Sequence, residues 1–128
     1  MKEQLRKRTI LVIDDDDDIC AVLTTVLEAE GYCVVCTTGG AVLQLVETTQ
    51  PDVILLDVMM PVLDGAVISE LLRTYSRTAQ VPIIAISGMR QQDAPIDLLY
   101  DAWLSKPFDL SDLFRVVAMM TDRKPSAG

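Results

Sequence analysis

The 128-residue chain has no histidine, only three cysteines and no long unbroken apolar run. Each shortage closes off a class of function. Without histidine, no Cys/His zinc set can be completed. Three thiols, Cys20, Cys33 and Cys36, fit a reducing compartment and not a disulfide framework. Cys33 and Cys36 form a C-x-x-C, but residues three apart on a strand point to opposite faces and do not chelate one ion. All three are read as core or half-core residues. A membrane span takes about 20 apolar residues; the nearest candidate, residues 31–46, is broken by Thr37, Thr38, Gly39, Gly40 and Gln44. Residues 10–13 are too short for the core of a signal peptide. A cytoplasmic chain without membrane insertion is the expectation.

Positive charge is scarce as well. Lys2, Arg6, Lys7 and Arg8 precede the first apolar run, and the next basic residue is Arg73. With a formal charge of −8 and a pI of about 4.3, the chain offers no clustered basic face for direct nucleic-acid binding.

What is present is a globular pattern, half hydrophobic and 23% charged, at a length that suits one domain. Val53-Ile54-Leu55-Leu56 runs straight into Asp57, and Pro61 stops the pattern. Such a run fits a strand buried on both faces, as in a parallel sheet. Residues 9–14 (Thr-Ile-Leu-Val-Ile-Asp) repeat the design, as do 82–87 (Pro-Ile-Ile-Ala-Ile-Ser). Residues 32–37 and 102–104 read as shorter strands. Apolar positions at helical spacing mark a helix from Ile19 to Leu27, ended by Gly31, and others around Val42–Val46, Val67–Tyr75 and Leu110–Met120. A poorly patterned stretch, residues 88–100, is expected to hold a short helix near 95–99. Met119 lies opposite the apolar stripe of the last helix. Strands alternating with helices imply βαβ units, a parallel sheet and helices on both faces. The expected organisation is a basic extension (1–8), one domain (9–121) and a polar tail (122–128).

In a right-handed doubly wound sheet the carboxyl ends of the strands open on one edge. Asp14 and Asp15, Asp57, Ser87 and Lys106 all follow strand ends, so three carboxylates, a hydroxyl and an ammonium meet there. Clustered carboxylates repel one another. A divalent cation relieves this, and an all-oxygen ligand set suits Mg²⁺. A serine and a lysine beside it suit the anionic oxygens of a phosphoryl group. For Asp16, Asp17 and Asp18 the expectation is only loop and helix-capping duty.

Together Ile10-Leu11-Val12-Ile13-Asp14-Asp15, Asp57-Val58-Met59-Met60-Pro61 with Asp64-Gly65, Ser87-Gly88 and Lys106-Pro107-Phe108 resemble the receiver domain of two-component response regulators, over roughly residues 8–121. The resemblance implies a flavodoxin-like (βα)5 three-layer α/β sandwich with a five-stranded parallel sheet in order 2-1-3-4-5. It implies Asp57 as the phosphoacceptor, with Asp14, Asp15, Asp57 and the Met59 backbone carbonyl holding Mg²⁺. Asp15 would bind the ion directly and Asp14 through water. Lys106, Ser87 and Gly88 would contact the phosphoryl group, Ser87 and Trp103 would form the switch, and the Lys106–Pro107 bond would be cis. Met59 and Met89 fall at positions flanking the path of attacking water, where apolar side chains shield the acyl phosphate. The donor would be a histidine kinase or histidine phosphotransfer protein, because a chain without histidine cannot carry phosphohistidine itself. Output would go to a partner protein, from a monomer or weak dimer.

The sequence departs from the family pattern between the fourth and fifth strands. That stretch is short, Leu99 stands where a glycine is common and Ala102 where an acid is common. The helix there is expected to be shortened, shifted or partly unwound, which weakens the case for pairing through that face. Two other readings stay open. One is a Mg²⁺-dependent phosphohydrolase with an aspartyl nucleophile, though Met59 occupies the place of its usual second aspartate. The other is a pseudo-receiver that binds without being phosphorylated. Trp103 suits a packed core residue as well as a switch.

Overall fold

The five apolar runs become five parallel strands in a computed structural model that describes residues 7–38, 40–60 and 64–122. These are β1 (Thr9–Ile13), β2 (Cys33–Thr37), β3 (Val53–Asp57), β4 (Ile83–Ser87) and β5 (Ala102–Ser105). Every strand boundary lies within one residue of the sequence expectation. The sheet order is β2-β1-β3-β4-β5. β3 and β4 are buried along their whole length, which is why their sequences are continuously apolar and do not alternate. The chain reverses its direction of winding between β1 and β3, and the crevice beyond their carboxyl ends is where such sheets take ligands.

Four α-helices cover the sheet: α1 (Asp17–Ala29), α2 (Val42–Thr49), α3 (Gly65–Thr74) and α4 (Leu110–Thr121). Leu23 and Leu27 of α1 pack with Leu113, Val117 and Met120 of α4 on one face. Val42 and Val46 of α2 pack with Ile68 and Leu72 of α3 on the other. The Asp16 carboxylate accepts the amides of Asp18 and Ile19 and starts α1, so the acidic run does serve capping. Gly31, at φ +98, takes the left-handed turn that ends α1, a conformation other residues rarely adopt. Met119 is exposed on α4, as the stripe requires. No helix among the described residues is long and apolar enough to cross a membrane. Most of the basic extension and of the polar tail, with Gly39 and Pro61, lies outside the described residues.

Two expectations need correction. The fifth helical segment, near residues 95–99, does not form. Between β4 and β5 the described chain has only a 3-10 turn, Gln91–Asp93, followed by an extended strap. Proline supplies the reason: Ala94, which precedes Pro95, is held at φ −62, ψ 146, outside the helical region. After Pro95 a single turn closes, Leu98 N–H to the Pro95 carbonyl (3.1 Å), and the next amide leaves the helical pattern. Leu99 N–H donates instead to the buried Ser69 Oγ on α3 (3.0 Å). Leu98 is buried against the α2/α3 face, and Asp101 fastens the strap's end by accepting Ile83 N–H (2.8 Å) and pairing with Arg73 (3.0 Å). The second correction is Cys33, which is exposed at the start of an edge strand and not half-core.

Candidate functional site

Asp14 follows β1 and its amide donates to the Thr37 carbonyl at the end of β2 (3.0 Å), so the neighbouring strand fixes where the carboxylate emerges. Its Oδ1 accepts the Asp16 amide (2.9 Å). Asp57 ends β3, and its Oδ1 accepts the Met59 amide (3.0 Å). Both carboxylates are buried, at 2% and 6% exposure, whereas Asp15 is exposed. One carboxylate oxygen from each of Asp14, Asp15 and Asp57 lies within 4.8 Å of the other two. Lys106 follows β5, which the Lys106 N–H···Ser87 carbonyl bond (2.8 Å) ties to β4. Its Nζ stands 3.8 Å from Asp14 Oδ2 and 4.0 Å from Asp57 Oδ2. The Lys106–Pro107 peptide is cis, as the resemblance implied.

Burial pushes the Asp14 carboxyl up to about 6, and the nearby Asp57 adds to the rise. The Asp16 amide and the Lys106 ammonium pull it back without cancelling it. One ammonium at these distances does not neutralise two buried carboxylates and a third at the rim. Three converging oxygen donors with excess negative charge are the donor set of a hard divalent cation.

Ser87 ends β4, is 1% exposed and accepts the Met89 amide on its Oγ (3.0 Å). It shares the sheet edge with Asp57, which lies opposite Ile86 in the β3–β4 register. Gly88 is exposed beside it, and a Cβ there would meet nothing within 4 Å. Met59 is 56% exposed, whereas Met89 packs partly buried against the α2/α3 core. Trp103 is not part of the cluster. It is half-buried near the start of β5, meets Tyr100 edge-on (centroids 5.4 Å apart, 64°), and donates from Nε1 to Ser105 Oγ (3.1 Å).

Two features escaped the sequence. Gly65 is needed for space: a Cβ there would approach the Val58 Cα and carbonyl to 3.1 Å, against the loop that carries Met59. Cys20 donates its S–H to the Asp14 carbonyl (3.6 Å), and burial followed by contact with Cys36 pushes its thiol up to about 12. The Asp64-Gly65 pair was visible in the sequence but its steric reason was not, and nothing local marked Cys20.

Residues 10–118 match the family described as "Response regulator receiver domain". The chain belongs to the receiver-domain family of two-component response regulators. A receiver domain is a signalling module and not a member of a catalytic enzyme family. Among curated proteins the chain is similar to the DNA-binding dual master transcriptional regulator RpaA of Synechocystis, 38% identical over 125 residues, which covers 92% of this chain and 52% of RpaA. It also resembles the probable transcriptional regulator ycf27 of Porphyridium aerugineum, at 33% identity over 85% of this chain and 46% of that protein. The chain thus spans about half the length of the curated relatives it matches. Among solved structures it resembles a putative response regulator from Chloroflexus aurantiacus (TM-score 0.84, 29% identity, 92% of this chain and 100% of that one). It also resembles the receiver domain of the sensor histidine kinase PA1611 of Pseudomonas aeruginosa (TM-score 0.79, 27% identity, 92% and 100%), solved with a magnesium ion in its active-site cleft.

Proposed function

We propose that this receiver domain is a phosphorylation switch in which Asp57 accepts a phosphoryl group from a histidine kinase or a histidine phosphotransfer protein. The observation that carries the proposal is a buried aspartate at the switch point of the sheet, with Lys106 4.0 Å from its Oδ2 and two further carboxylates within 4.8 Å. The Met59 amide holds Asp57 Oδ1 and leaves Oδ2 facing Lys106. An Asp57 carboxylate oxygen attacks phosphorus, the donor nitrogen departs, and an acyl phosphate remains. Transfer of this kind needs orientation and charge neutralisation more than covalent help. Asp14, Asp15, Asp57 and the Met59 carbonyl would hold Mg²⁺, as their donor chemistry fits. When bound, the ion offsets the negative charge of the carboxylates and the phosphoryl oxygens. Lys106 pairs with one phosphoryl oxygen, and Ser87 and the Gly88 amide bond others.

Ser87 gives up the Met89 amide to reach the phosphoryl group, and Trp103 responds on the neighbouring strand. The output is contact with a partner protein from a cytoplasmic monomer or weak dimer, in a unit comprising residues 9–121. The acidic surface supports an output that is not nucleic-acid binding by this domain itself.

Intact mass after incubation with Mg²⁺ and acetyl phosphate or phosphoramidate tests the proposal. A single phosphate adduct is expected in the wild type and none in Asp57→Asn. An unmodified wild type refutes the phosphoacceptor role and leaves the pseudo-receiver reading. Multiple turnover of a phosphate ester would favour the phosphohydrolase reading, which the exposed Met59 opposes because it has no proton to donate.

A further inference from the structure

The C-x-x-C of the sequence pairs Cys36 with the wrong neighbour. Cys33 lies at the exposed start of β2, whereas Cys36 faces α1. There its S–H donates to the Cys20 carbonyl (3.8 Å), which brings its sulfur against the Cys20 backbone, and the same sulfur lies 3.8 Å from Thr24 Oγ1. Cys20 and Cys36 are both only partly buried. They also bracket Asp14. Cys20 donates to the Asp14 carbonyl (3.6 Å), and Cys36 precedes Thr37, whose carbonyl takes the Asp14 amide (3.0 Å).

The geometry points to Cys20 and Cys36 as a redox-modifiable pair that closes to an intrachain disulfide in the presence of a peroxide, tethering α1 to β2 beneath Asp14. The Cys36 sulfur attacks the peroxide, because burial holds the proton on Cys20. An S–O bond forms as the O–O bond breaks, giving a sulfenic acid and water. The second sulfur attacks the first, forming S–S and breaking S–O, and hydroxide leaves with the second thiol's proton as water. Two thiols lose two electrons and two protons, and hydrogen peroxide becomes two waters. Closure also removes the S–H that donates to the Asp14 carbonyl. The expected consequence is a change at the acidic cluster, and this part alone rests on the Mg²⁺ reading of that cluster.

The test uses the full chain with Cys33→Ser, which removes the exposed thiol, treated with hydrogen peroxide and then alkylated under denaturing conditions. The expected result is a mass loss of two hydrogens and no alkylated thiol, while Cys20→Ser and Cys36→Ser added singly to this background form no intrachain bond. Retention of both thiols in Cys33→Ser overturns the proposal, as does a wild type whose cross-links all contain Cys33. A Mg²⁺ titration compares oxidised with reduced Cys33→Ser, and a Kd raised at least threefold is expected. An unchanged Kd overturns the coupling to the site, and the alkylation result decides the disulfide independently.

Discussion

Removing the charge of Asp14 is expected to make the metal-free domain more stable. The Asp14 carboxyl is 2% exposed and is pushed from 3.8 to about 6. Between those values the folded chain keeps a proton that the unfolded chain has released. Stability therefore falls as pH rises through the window, and the full penalty is present above about pH 6. At 1.36 kcal/mol per pH unit the penalty is about 3 kcal/mol at most. In Asp14→Asn the side-chain carbonyl still accepts the Asp16 amide, and the lost attraction to Lys106 is already subtracted from the net rise. The expected gain near neutral pH is about 1–3 kcal/mol, or roughly 4–10 °C in melting temperature for a domain of this size. Thermal melts in EDTA across the window from mildly acidic to neutral pH measure it. The wild type should lose stability with rising pH, and the variant should show a flatter profile. Saturating Mg²⁺ should narrow or invert the gap, because a ligand at a hundredfold excess over its Kd adds about 2.7 kcal/mol to the form that binds it. An Asp14→Asn variant that melts no higher than wild type without metal, beside a wild type with no fall on deprotonation, refutes the reasoning.

Three further outcomes follow from the geometry. Ser69→Ala removes the acceptor of the part-buried Leu99 amide, so a loss of about 0.5–1.5 kcal/mol is expected in chemical denaturation, with faster amide exchange at Leu99. Gly65→Ala brings a methyl to 3.1 Å of the Val58 backbone; a loss of about 1–2 kcal/mol and weaker Mg²⁺ binding through a displaced Met59 carbonyl are expected, and unaltered melting and titration curves count against a steric role. Asn at both Met59 and Met89 should shorten the lifetime of the phospho-form several-fold, read by loss of the phosphate adduct with time, and an unchanged lifetime removes shielding as an explanation.

The sheet and the acidic cluster were legible in the sequence because both depend on strands. Runs such as Val53–Asp57, buried on two faces, must be apolar throughout, and the residue that ends each run is delivered to the same edge. The segment after Ser87 was not legible in the same way. Pro95 forbids a helical Ala94, which is a local fact, but the strap that replaces the helix depends on Ser69, 30 residues away, accepting the Leu99 amide. The tie between Arg73 and Asp101 spans 28 residues and is equally silent in sequence. Cys20 and Cys36 show the same limit from the other side. Strand spacing rightly sets aside the visible C-x-x-C as a pair, but that Cys36 meets Cys20 across a helix and a strand was not visible locally.

For the proposed switch, the strap would set how the state of the site reaches the surface. Ser87 Oγ accepts the Met89 amide, so any movement of that hydroxyl toward Asp57 first releases the strap at its root. From there the contacts run through the 3-10 turn, where Gln91 Nε2 donates to the Tyr100 hydroxyl (3.2 Å), and on to the edge-on packing of Tyr100 against Trp103. A helix in this position would move as a rigid body and carry its whole face with it. A strap with one short turn, pinned at Leu98, Leu99 and Asp101, moves only between its pins, and its sparse hydrogen bonding places it among the less stable parts of the fold. Contact alone does not transmit energy; that requires an element with two arrangements which the site biases. In this chain the stretch from Met89 to Ala94 packs on the α2/α3 core at its two ends, while Gln91–Asp93 between them are exposed. If Asp57 is phosphorylated as proposed, the surface expected to respond is small and lies at the 3-10 turn and the Tyr100–Trp103 pair rather than on a helix face.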